Sequence, residues 1–68
     1  MLQGQIKWFN SKKGYGFIRP QPEGKDVFLH ISALERSGIR SIADGENVSY
    51  DIIVERGRPA ADNIRIIR

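Results

Sequence analysis

Cysteine is absent from this 68-residue chain, and histidine and tryptophan occur once each. Without cysteine there is no disulfide to staple so small a fold, and no thiolate metal site. A single histidine leaves no transition-metal cluster, so no cofactor is expected. No apolar run approaches the roughly 20 residues of a membrane span; even the stretch from Tyr50 to Val54 is interrupted by Asp51. The first ten residues, MLQGQIKWFN, show no basic flank followed by an apolar segment, so no secretory signal is expected. A nucleotide-binding P-loop is missing too. The expectation is one domain spanning residues 1–68, cytoplasmic, with a monomer as the default.

What is present begins with charge. Eleven Lys and Arg stand against eight Asp and Glu, a formal net charge of +3. Totals of this size fit either an ordinary solvated surface or attraction to a polyanion, and only the placement of the charges can separate the two.

Glycine and proline punctuate the chain often, and no long segment shows an apolar period of 3.6 residues. Short strands fit better. Leu2 to Asn10 reads as the first, followed by a polar turn from Ser11 to Gly14. Tyr15 to Arg19 is the second, and Pro20, Pro22 and Gly24 mark a turn. Asp26 to Ile31 is the third, with Ser32 to Leu34 as one helical turn, and Glu35 to Gly45 is a long connection. Glu46 to Glu55 is the fourth; Gly57 and Pro59 break the chain, and Ala60 to Arg68 is the fifth. The expected fold is all-β, a five-stranded antiparallel barrel. Closing the sheet removes the exposed edges of a lone small sheet.

Strand side chains alternate between faces. In the second strand Tyr15, Phe17 and Arg19 share one face, and Gly16 and Ile18 the other. In the third, Phe28 and His30 oppose Val27, Leu29 and Ile31. Turning the rings inward would carry Arg19 and His30 toward the core, where an unpaired polar group costs several kcal/mol. The core is therefore read as Ile6, Ile18, Val27, Leu29, Val48, Ile52, Ile64 and Ile66, with Ile31 and Tyr50 as candidates. Tyr15, Phe17, Phe28 and His30 are left facing solvent among Lys7, Lys12, Lys13, Arg19 and Lys25. An apolar patch rimmed by cations suits a single-stranded nucleic acid: bases stack on rings at roughly 1–3 kcal/mol each, and the cations hold the backbone. Gly14 and Gly16 are read as leaving the surface beside the rings unobstructed and as allowing a tight or coiled strand. Strict alternation puts Trp8 inside with Ile6 and turns Phe9 out, unless a bulge near Gly4 or a twist at the strand end reverses them.

These residues resemble the cold-shock domain family. IKWFNSKKGYGFI followed by DVFLHISAL carries the likeness, KGYGFI and VFLHISA being similar to its two ribonucleoprotein-type motifs, and the match runs from Leu2 to the last strand. The resemblance implies an OB-type barrel that binds single-stranded RNA and DNA over its first three strands. It implies binding roles for Lys7, Trp8, Tyr15, Phe17, Phe28 and His30, and so places Trp8 at the surface with Phe9 a partly buried neighbour. Asn10, Lys13 and Asp26 match supporting polar positions, and Arg56 and Pro59 match the loop bordering the groove. Three departures stand out. Ile31 and Ile39 occupy positions where aromatics are usual, and RPQPEGK is about one residue longer than in close relatives.

Two other classes of function bear on the same residues. Asp26, His30 and Ser32 have the composition of a catalytic triad. Asp26 and His30, however, lie four residues apart on an extended strand, roughly 13 Å, beyond hydrogen-bond reach; no enzyme activity and no small-molecule substrate are expected. A peptide-binding module is the alternative, with the same rings gripping a proline-rich segment.

Overall fold

The computed structural model describes residues 1–67. Its elements are β1 (Leu2–Asn10), β2 (Tyr15–Pro20), β3 (Val27–His30), α1 (Ile31–Arg36), β4 (Asn47–Glu55) and β5 (Arg58–Ile66). The third strand is shorter than expected because His30 caps the helix: its Nδ1 accepts from the amide of Ser32, satisfying a donor the first turn leaves free. The helix is accordingly longer than the single turn Ser32 to Leu34. Pro59, expected to break the chain, lies inside β5 opposite Val54, near the strand's start, where a missing donor is tolerated. Arg68, assigned to the fifth strand from sequence, falls outside the described residues.

The strands close into a barrel in the order β1-β2-β3-β5-β4. Neighbouring pairs are antiparallel except β3 and β5, which run parallel where Phe28 meets Ala60. Parity requires this: a ring with an odd number of strands cannot alternate direction all the way round. The fold is thus the expected five-stranded OB-type barrel with one parallel seam. The first three strands form a meander, and the long connection after α1 carries the chain across to β4, beside β1.

Two turns are written locally. Between β1 and β2, Asn10 Oδ1 accepts the amides of Lys12 and Lys13 at 3.0 Å each, and Gly14 takes a φ of 81°. Between β4 and β5, Arg56 and Gly57 have φ of 52° and 76°. Positive φ at both central residues of a two-residue hairpin loop matches the twist of the flanking strands.

Ile6, Ile18, Val27, Leu29, Val48 and Ile64 are buried as expected, joined by Tyr50, while Ile66 packs against them half-buried. Ile31 is half-buried on the helix. Ile52 is a correction: it is 46 % exposed. The ladder between β1 and β4 ends at Leu2 and Tyr50, so beyond that point β1 supplies nothing to cover β4, and Val54 is 77 % exposed. Ala33, Leu34, Ala60 and Ala61 complete the buried set. They come from a short helix and from small side chains, which carry little periodic signal.

Burial of Tyr50, 1 % exposed, pushes its hydroxyl pKa upward by desolvation. The folded state therefore holds this proton more tightly than the unfolded state, where the value is about 10. Its contribution is complete below pH ~10 and is lost as pH rises through the folded value. Between pH 8 and pH 11 the wild type is expected to lose more stability in urea unfolding than Tyr50→Phe; equal losses would show that Tyr50 is not the group responsible.

Candidate nucleic-acid interface

Between β1 and β2 the register runs from Gly4 opposite Pro20 to Ile6 opposite Ile18, then resumes with Trp8 opposite Phe17. Lys7 is the extra residue of a β-bulge. One inserted residue exchanges the faces of everything after it. Trp8 and Asn10 consequently share a face with Phe17 and Tyr15, while Phe9 turns inward and packs on the core. The alternation that put Trp8 inside is overturned at Lys7, not at Gly4.

No shift interrupts β2 and β3. Tyr15 lies opposite His30, and Phe17 opposite Phe28. The three strands thereby assemble one connected array of rings. Trp8 meets Phe17 and Tyr15 edge-on, at centroid distances of 5.4 and 5.8 Å. Tyr15 stacks on Phe28 at 5.9 Å, with planes 28° apart, and Phe28 lies 6.3 Å from His30. Phe17 and Phe28 are 5.9 Å apart and near-perpendicular. Trp8, Tyr15, Phe17 and Phe28 are half-buried and His30 is exposed. The rings shield one another's edges, while β2 and β3 send Ile18, Val27 and Leu29 into the core beneath them.

Of the two roles expected of Gly16, the structure supports the tight strand. It faces inward and is buried, and a β-carbon there would lie 2.7 Å from Phe9 Cα and press on the Trp8 carbonyl. It admits the bulged strand rather than clearing space beside the rings.

The polar residues divide into groups. Lys7 Nζ and Asp26 Oδ2 form an ion pair at 2.8 Å. The pair is largely exposed, so its contribution to stability is modest. Asn10 folds the β1–β2 turn, and Lys12 and Lys13 stand exposed on it, next to Tyr15. His30 Nδ1 lies 2.9 Å from Ser32 Oγ and 3.1 Å from the Ser32 amide. Accepting that amide needs the lone pair on Nδ1 and places the ring proton on Nε2. This is a helix cap, and it accounts for the closeness of the serine without catalysis. Pro59 precedes Ala60, the partner of Phe28, so the start of β5 borders the array; Arg56 lies further out, in the hairpin turn.

A groove adjoins the array along α1, lined by Phe9, Ile31, Leu34, Ile39 and Ile42, with Arg40 at its rim. Ile39 and Phe9 also pack against the core. Sequence reasoning missed Asp44, Gly45 and Glu46, which bond to β1 on either side of the bulge.

A small closed barrel that spreads linked rings and cations over three adjacent strands defines a class of surface made for flat, anionic ligands. The family model described as the 'Cold-shock' DNA-binding domain matches residues 2–67. Cold shock protein CspA of Rhizobium meliloti is 51 % identical over 67 residues, covering 96 % of this chain and 97 % of the relative. The probable cold shock protein y4cH of Sinorhizobium fredii is 48 % identical over the same shares. Cold shock-like protein CspC of Escherichia coli K12 is 46 % identical, over 97 % of this chain and 96 % of its own. The chain belongs to the cold-shock domain family of nucleic-acid-binding proteins.

Proposed function

We propose that the protein binds single-stranded RNA and DNA with low sequence selectivity, by stacking bases on Trp8, Tyr15, Phe17, Phe28 and His30. The observation that carries this reading is the continuity of the rings across three strands, each within 6.3 Å of a neighbour. Successive bases of a strand have π-faces whatever their identity, so such an array is sequence-tolerant. Lys7, Lys13 and Arg56 supply cations for the backbone, Asn10 and Asp26 polar support, and Pro59 an apolar border.

The mechanism is competitive. A base stacked on a protein ring is unavailable for pairing, so short hairpins shift toward the open strand without ATP. RNA chaperoning and control of transcription or translation are the roles this supports. The chain acts by binding alone, as one monomeric domain in the cytoplasm. Ile31 and Ile39 offer aliphatic contact in place of stacking, which weakens two positions along the strand.

A titration with oligo-dT and a matched duplex at two salt concentrations tests the proposal. Tight binding is expected for the single strand only, with log Kd changing against log salt by about 0.7 per phosphate neutralised. Equal affinity for the duplex would refute it. Binding of proline-rich peptide, indifferent to salt, with none of oligo-dT would favour the peptide module.

A further inference from the structure

The bulge at Lys7 decides which way Trp8 faces, and the strand's own sequence does not dictate it. β1 has β2 on one side throughout. On its other side β4 ends at Asn47, opposite Gln5, and the turn just before β4 takes over. Gly45 donates to the Ile6 carbonyl at 2.7 Å, and the Ile6 amide donates to the Glu46 carbonyl at 2.9 Å. Asp44 Oδ1 then accepts the amide of Phe9 at 3.3 Å.

Backbone groups pointing to one edge of a regular strand recur every second residue. Here the edge toward the turn is used by Ile6 and then by Phe9, three positions on. In an unbulged strand the Trp8 amide would point there, with the Trp8 ring inside beside Ile6. A carboxylate waiting for the Phe9 amide therefore favours the bulged register over the regular one. The turn is built for it. Glu46 donates its amide to the Ala43 carbonyl at 3.2 Å and accepts the Ala43 amide on Oε1 at 2.9 Å. Gly45 takes a φ of 86°, as the third residue of a type II turn requires. Asp44 is thus free to reach across to β1.

We infer that Asp44 is a positioning residue: the Ala43–Glu46 turn clamps β1 in its bulged register and so holds Trp8 on the binding face. Its importance for nucleic-acid binding rests on the function proposed above; its effect on Trp8 does not.

Asp44→Ala and Asp44→Asn test this as a pair. Both remove the charge, so any gain from lost repulsion of phosphate is common to them, and only asparagine keeps an acceptor at the same reach. Asp44→Asn is expected to keep the wild-type Trp8 emission. Asp44→Ala should shift that emission in the free protein and bind oligo-dT roughly 2- to 10-fold more weakly than Asp44→Asn. Identical emission and affinity in the two folded variants would overturn the inference. Should Asp44→Ala prove too unstable, Glu46→Ala loosens the same turn while leaving Asp44 in place. It is expected to shift Trp8 emission likewise, and unchanged emission there overturns the clamp. If the wild type fails to bind oligo-dT, the function falls, while the emission comparison still reads the clamp.

Discussion

Gly16→Ala is expected to cause a large loss of stability, the largest among the glycine-to-alanine changes. A β-carbon at Gly16 would lie 2.7 Å from Phe9 Cα and 2.8 Å from Phe9 Cδ1, and would press on the Trp8 carbonyl. Two of these three obstacles are backbone of the adjacent strand, so no rotamer change relieves them. Overpacking of this kind typically costs about 1–3 kcal/mol and occasionally more, against a total of roughly 3–10 kcal/mol for a domain this small. The strand can escape only by moving β1 away from β2, which would also disturb Trp8 on the opposite face. Gly38→Ala is the control. Nothing lies within 4 Å of its β-carbon position, so only its φ of 75° resists, at about 1–2 kcal/mol. Urea unfolding should place Gly16→Ala well below Gly38→Ala, and the reverse order would show that β1 and β2 are not held in close contact at the bulge.

Gly16 also marks where the sequence stops being readable. In β2 and β3 the faces follow from alternation because those strands pair without a shift, from Tyr15 opposite His30 to Ile18 opposite Val27. The cost of burying Arg19 then chooses the face. In β1 the same rule misplaces Trp8 and Phe9, because the bulge is fixed by groups far along the chain, among them Asp44, 35 residues from Phe9. Ile52 fails for a different reason. Val48, Tyr50 and Ile52 alternate in sequence, but the β4–β5 register shifts between Ser49 and Asp51 and the β1–β4 ladder ends at Tyr50, leaving Ile52 exposed. Periodicity reports which face a residue occupies and carries no information on where the barrel ends. The resemblance to the cold-shock domain put Trp8 at the surface where alternation did not.

Phe17→Ala is expected to cause the largest loss of affinity with the fold intact. Phe17 occupies the middle of the array, opposite both Trp8 and Phe28 in the two ladders, and 5.4 and 5.9 Å from their rings. Its half-burial comes from these partners, while its neighbours Gly16 and Ile18 face the core. Truncation therefore removes one stacking surface, about 1–3 kcal/mol, and also frees Trp8 and Phe28 to move, so rigidity that favours binding is lost as well. The upper part of that range, on the order of 100-fold in Kd, is the expectation for oligo-dT. His30→Ala, at the end of the array with one ring neighbour, should cost less. Urea unfolding of Phe17→Ala separates the two ways the result could arise. A midpoint near wild type with weakened binding places the ring on the platform, whereas a protein that no longer folds would make Phe17 part of the core and remove the middle of the proposed track.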